Sequence, residues 1–270
     1  MGQDDNQKQV GRRRLEGRRA LVTGANSGIG RGIALRLASE GANVIVNYLT
    51  HPEAAEEVVA EIKGAGRVGL AIKADVSAEG EVDEMFVRAE AALGGLDILV
   101  NNAGMEMHRP FLEMPLEDWR KVIEVDLTGP FLCAQRAARL MVKAGTGGSI
   151  VNITSVHQRI PWGGYAHYCA AKAGLEMLTK TIALELATEH VRINSVAPGA
   201  IATPINREVW SDPEMMQDLL NKIPVRRVGE VEEVASVVAF LCSDEASYMT
   251  GSTVYVDGGM TLYPAFIRGG

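Results

Sequence analysis

The sequence predicts a single-domain α/β fold, a doubly wound parallel sheet with helices on both faces. Three observations predict it. Short β-branched runs alternate with longer amphipathic stretches from Arg19 onward, as expected of strands covered on both faces by helices. Turn residues bound each apolar run. No internal repeat, low-complexity linker or second alternation pattern divides the chain, so right-handed crossovers build one sheet.

The elements follow in order. Residues 1–17 are polar and include Arg12, Arg13 and Arg14, so they are expected to be a flexible extension of a catalytic domain spanning 18–270. They contain no apolar segment of a secretory signal, and Asn6 stands where myristoylation of Gly2 would need Ser or Thr. Strands are predicted at 20–23, 44–46, 68–72, 98–100, 149–153, 192–196 and 253–256. Helices between them bury faces such as Ile29, Ile33 and Leu37, or Val231, Val234, Val238 and Leu241. The segment 199–229 is long for a connection in such a fold and is expected to act as a mobile lid.

Composition narrows the function. With 270 residues, 47% hydrophobic content and a net charge of −7, the chain has ample material for a core but no basic excess for nucleic acid. No apolar run approaches the roughly 20 residues of a membrane helix. Cys133, Cys169 and Cys242 are far apart and odd in number, which argues for free thiols in a reducing cytoplasm and against a disulfide framework or metal site.

The first strand ends in Thr23-Gly24-Ala25-Asn26-Ser27-Gly28-Ile29-Gly30, and a helix follows at once. Glycines let the backbone turn and approach a ligand closely. The helix start offers free N–H groups and partial positive charge to a diphosphate. This is a Rossmann-like dinucleotide turn in its required context, strand before and helix after.

The spacing G-x-x-x-G-x-G, with Asn101-Asn102-Ala103-Gly104 after the fourth strand, Ser155 after the fifth, Tyr168-Cys169-Ala170-Ala171-Lys172 opening a helix and Pro198-Gly199 after the sixth, resembles the short-chain dehydrogenase/reductase family. The resemblance runs from about Leu15 to the C-terminus. It implies a nicotinamide cofactor held by Gly24, Asn26, Ser27, Gly28, Ile29, Gly30, Asn102, Ala103, Gly104, Pro198, Gly199, Ile201 and Thr203, with Asp75 and Val76 at the adenine. A carboxylate after the second strand would exclude a 2′-phosphate and an Arg would welcome it. Here Asn47 can donate or accept, with His51 and Arg31 as further candidates, so use of both NAD and NADP is expected.

Tyr168 and Lys172 are four residues apart and share a helix face. A free phenol titrates near 10, too high for a base at neutrality; a neighbouring ammonium lowers that value. Ser155 can hold the reacting oxygen, and Tyr168 then moves the proton while hydride passes to or from nicotinamide. Asp126 stands where the family usually has an Asn that helps to hold a water near the lysine. Its charge is expected to oppose phenolate formation and alter the pH profile.

Glu106, His157 and Asn206 make the expected substrate walls polar, which suits a molecule with many hydroxyls. Longer stretches, 102–106, 155–162, 198–206 and 257–264, are similar to sugar-oxidising members of the family. They imply oxidation of β-D-glucose at C1 to the lactone, and a homotetramer packed through long helices and the last strand. The alternatives are a 3-oxoacyl or other carbonyl reductase and, from another class, a dinucleotide-binding regulator without catalysis. The presence of Ser155, Tyr168 and Lys172 together argues against the regulator.

Overall fold

A computed structural model describes residues 13–203 and 212–262. Seven parallel strands form one sheet: β1 (Arg19–Val22), β2 (Asn43–Tyr48), β3 (Gly69–Lys73), β4 (Ile98–Asn101), β5 (Gly148–Ile153), β6 (Val191–Pro198) and β7 (Thr253–Val256), in the order β3-β2-β1-β4-β5-β6-β7. Each predicted strand is present. Leu21 pairs with Ile45 on one side and Leu99 on the other.

Alternation along the strands separates two buried layers. Ala20, Val22, Val44 and Val46 point to the layer covered by α1 (Gly28–Ser39), α2 (Pro52–Gly64) and the helix Val231–Cys242. Leu21, Ile45, Leu99 and Ile150 point to the opposite layer, under α3 (Glu79–Leu93), α5 (Gly129–Ala144) and α6 (Ala166–Leu186). A fully buried Leu or Ile contributes about 2 kcal/mol, so each layer holds its helices against the sheet and fixes what their ends present.

Helix α4 (Leu116–Ile123) runs into α5 through one π turn, Glu124–Thr128. Such turns widen the backbone ring and re-aim a side chain; here that side chain is Asp126, which is fully buried.

Two segments carry more structure than the sequence reading gave them. Of residues 13–17, grouped with the extension, Leu15 is fully buried and Arg14 pairs with Glu40 at 2.5 Å and Glu245 at 3.3 Å. Residues 1–12 lie outside the described residues. The segment 199–229 carries helix α7 (Pro213–Asn221), begun by Asp212, whose side chain accepts from the Glu214 and Met215 amides. Its ends are joined by a bridge between Ile201 and Gly229. Val231–Cys242 is α8, the last α-helix among the described residues.

Candidate active site

Strand β1 lies between β2 and β4, so the chain departs from it in opposite directions. A crevice opens at the carboxyl ends of strands at such a switch point. Thr23 braces it: its Oγ1 accepts from the Asn102 and Ala103 amides, each at 3.0 Å. Asn102 Nδ2 donates back to the carbonyls of Thr23 and Gly24, also at 3.0 Å. The crevice is a cavity of about 810 Å³.

One end of the cavity is backbone. Gly24 and Gly28 have φ of +59° and +51°, which favours glycine. A Cβ on Gly30 would collide with the Gly24 carbonyl oxygen and Asn102 Nδ2. Ser27, the N-cap of α1, makes no side-chain cap, so its hydroxyl leaves the first amides of the helix uncapped. Asn26, Ser27, Ile29, Ala103, Pro198 and Gly199 line the cavity with these glycines. Ile201 and Thr203 line it too, and a Cβ on Gly28 would lie 3.7 Å from the Thr203 side chain. A narrow backbone cradle at a helix start fits a dinucleotide pyrophosphate.

Asn47 has a structural task besides the one the sequence reading gave it. It borders the cavity, but its Oδ1 accepts from the Gly24 amide at 3.1 Å and its Nδ2 donates to Ile72 and Ala74 carbonyls at 3.3 and 3.0 Å. Both amide hydrogens are used, so it ties the glycine turn to β3. Leu49 and Thr50 are the next cavity-lining residues along the chain, and Asn26 Nδ2 donates to the Thr50 carbonyl at 2.9 Å. Arg31 pairs with Glu61 at 2.7 Å, and His51 lies 3.4 Å from Glu53. Asp75 lines the cavity and folds its own turn, accepting from the Ser77 amide and hydroxyl at 2.9 and 2.6 Å; Val76 lines it too.

Helix α6 brings Tyr168 and Lys172 to the cavity together, beside Ser155 at the end of β5. Lys172 Nζ lies 5.5 Å from the centre of the Tyr168 ring and donates to the Ile153 carbonyl at 3.3 Å. Its nearest carboxylate is Asp126, Nζ to Oδ2 3.1 Å. Asp126 Oδ1 accepts from the Met105 amide at 2.8 Å. Gly104 backs onto the pair, where a Cβ would come within 3.1 Å of Asp126 Oδ2 and 3.3 Å of Lys172 Nζ.

The charges settle as follows. Burial works against the Lys172 ammonium, but Asp126 and then Tyr168 hold its pKa above the ordinary lysine value. Burial raises the pKa of Asp126 despite Lys172. Within the protein's own groups, the pull of Lys172 on Tyr168 is outweighed. Burial raises the Tyr168 pKa, Asp126 and Glu106 add to the rise, and the opposing pull of Lys172 and of the Ser155 hydrogen bond is smaller.

On the substrate side, Glu106 lines the cavity, and burial followed by the Asp126 charge raises its pKa. His157 stands outside that lining, edge-on to Tyr168 with 6.4 Å between ring centres. Its Nδ1 lies 3.1 Å from the Ile160 carbonyl, which can only accept, so Nε2 is left as an acceptor. Burial lowers its pKa and keeps it neutral. Asn206 lies outside the described residues.

The sequence reading missed an aromatic stack: His157 on Trp162 at 4.3 Å, Trp162 on Tyr165 at 3.7 Å, and His108 edge-on to Tyr165 at 5.4 Å. It also missed His167, buried beside Tyr168. The density of aromatic and imidazole groups between 157 and 168 was the available signal.

The family model described as Enoyl-(Acyl carrier protein) reductase matches residues 24–261. The chain is 47% identical over 252 residues to 3beta-hydroxysteroid dehydrogenase 1 of Eggerthella lenta, covering 93% of this chain and 97% of that one. It is 44% identical over 252 residues, with the same coverages, to Glucose 1-dehydrogenase 2 of Bacillus subtilis. To the 3-oxoacyl-[acyl-carrier-protein] reductase of Synechocystis sp. it is 45% identical, covering 90% and 97%. Among solved structures, a short-chain type dehydrogenase/reductase from Mycobacterium marinum has a TM-score of 0.88 at 40% identity, covering 93% and 98%. A gluconate 5-dehydrogenase from Burkholderia cenocepacia in complex with NADP and tartrate has 0.87 at 35%, covering 93% and 98%. A 7 alpha-hydroxysteroid dehydrogenase complexed with NADH has 0.87 at 36%, covering 96% and 98%.

Proposed function

The chain belongs to the short-chain dehydrogenase/reductase family, and from that premise we propose that it is an NAD(P)-dependent dehydrogenase oxidising β-D-glucose at C1 to gluconolactone. The observation that carries hydride transfer is the convergence of Ser155, Tyr168 and Lys172 on one cavity with the glycine cradle. Bound NAD(P)+ supplies the hydride acceptor and a positive ring. Gly24, Asn26, Ser27, Gly28, Ile29 and Gly30 would hold its pyrophosphate, Asp75 and Val76 its adenine, and Asn102, Ala103, Gly104, Pro198, Gly199, Ile201 and Thr203 the rest. Relatives bound to NADP and to NADH support use of either cofactor, as does the absence of any carboxylate among Asn47, Tyr48, Leu49 and Thr50.

In this reading Ser155 binds the substrate oxygen, Tyr168 removes its proton, and Lys172 stabilises the resulting phenolate. Asp126 keeps Lys172 charged and sets the pH at which the phenolate forms. Support for a sugar comes from Glu106, which lines the cavity and is suited to accept from hydroxyls, with His157, outside the lining, and Asn206 as further candidates. The exposed apolar side chains Phe131 on α5 and Met177 and Leu184 on α6 support packing into a homotetramer.

A second reading, reduction of a 3-oxoacyl or other carbonyl group, is favoured by the family model's description and by the Synechocystis relative. Rates on glucose, other sugars and polyols, a 3β-hydroxysteroid and an acetoacetyl thioester, each with both cofactors, decide between them. Glucose as the best substrate supports the first reading; turnover confined to the thioester overturns it. Tyr168→Phe should lower the rate about a thousandfold or more, and parent-like turnover would remove the acid–base assignment.

A further inference from the structure

His167 is fully buried and directly precedes Tyr168 in the first turn of α6. The first amides of any helix lack partners within it, and the N-cap of α6, Tyr165, makes no side-chain cap. One of those amides, the N–H of Tyr168, donates to His167 Nδ1 at 2.8 Å. An amide N–H can only donate, so Nδ1 carries the lone pair and the ring hydrogen sits on Nε2. Nε2 is itself buried without a hydrogen-bond partner among the described residues.

A second ring hydrogen would face the Tyr168 amide and add positive charge at the positive end of the helix. In keeping with this, burial lowers the His167 pKa; Asp118, Asp126 and the Tyr165 backbone pull it upward, and Arg109 opposes them. The ring is thus held neutral, as an acceptor for the amide it touches.

We propose that His167 is a positioning residue for Tyr168: its Nδ1 anchors the backbone of the turn from which Tyr168 and Lys172 reach the cavity. The inference rests on the reading of Tyr168 as the acid–base group and adds the residue that aims it. His167 acts through that backbone.

Two substitutions separate the acceptor from the bulk. His167→Asn keeps an acceptor on the atom next to Cγ, whereas His167→Phe keeps the ring and removes the acceptor. At saturating substrate and cofactor, the Phe variant should lose about tenfold in kcat with its dinucleotide KM unchanged, and the Asn variant should stay within about threefold of the parent. Parent-like kcat in the Phe variant, or equal loss in both, overturns the proposal. Should the Phe variant not fold, His167→Gln, whose acceptor sits one bond farther out, takes its place with the same expected loss. Tyr168→Phe is assayed alongside. Activity surviving there removes the acid–base reading itself, whereas its loss beside a parent-like His167→Phe removes the positioning role alone.

Discussion

Lys172 Nζ and Asp126 Oδ2 lie 3.1 Å apart, with the two side chains only 5% and 0% exposed. A buried ammonium and carboxylate at this distance neutralise each other more effectively than either acts on a third group. Burial is the main reason that the pKa of Tyr168 rises; Lys172 pulls against it, and Asp126 offsets part of that pull.

Replacing Asp126 by Asn should move the rate–pH curve for alcohol oxidation toward acid. In the proposed reaction oxidation needs the phenolate, so its rate climbs as pH rises through the Tyr168 pKa. Removing a negative charge that raises this value shifts the climb to lower pH. The variant should also lose about 3 kcal/mol of stability, because Lys172 is left buried without its countercharge. Initial rates across pH and a denaturant titration check both effects. An unmoved curve would separate Asp126 from the proton transfer.

Asn47→Ala should weaken folding rather than change cofactor choice. Three hydrogen bonds to Gly24, Ile72 and Ala74 are lost from a buried side chain, at a cost of about 2–3 kcal/mol. KM for NAD and NADP should rise together. Leu49→Arg, at a half-exposed position on the cavity rim, should instead raise the NADP-to-NAD ratio of kcat/KM about tenfold or more, since a guanidinium pairs with the 2′-phosphate.

Gly30→Ala tests the cradle. The added methyl meets the Gly24 carbonyl and the Asn102 amide, both held by hydrogen bonds at the switch point. The glycine turn must shift outward, at about 1–3 kcal/mol. Dinucleotide affinity, read by quenching of tryptophan fluorescence, should fall at least tenfold, while parent-like affinity would show that the ligand does not lie against this turn.

What was legible in the sequence was whatever depends on local pattern. β-branched runs and glycines announced all seven strands and the cradle, because each must satisfy its own backbone and bury its own faces. What depends on competition between distant groups was not legible. Asn47 looked free to meet a ribose until β3 presented two carbonyls to it. Tyr168 looked acidified by Lys172 until burial, Asp126 and Glu106 were weighed together. The extension was drawn through Gly17 because Arg12, Arg13 and Arg14 resemble a solvated tail; the partner of Arg14, Glu40, lies 26 residues on. His167 reads as one more polar residue on a helix until its neighbours close over it.

That last contact of the extension makes a prediction of its own. Arg14 and then Arg36 donate to Glu40, whose pKa falls from 4.5 to about 2. A depressed carboxylate contributes stability that is fully present above its unfolded value and disappears as pH drops through its folded one. The contribution of Glu40 is therefore complete above about pH 5 and gone near pH 2. Charge pairs at such half-covered sites are worth about 1 kcal/mol. Glu40→Gln should thus melt lower than the parent at pH 7, with the gap narrowing steadily from pH 5 downward. A gap that stays constant to pH 2 would mean that Glu40 anchors Arg14 by shape and not by charge.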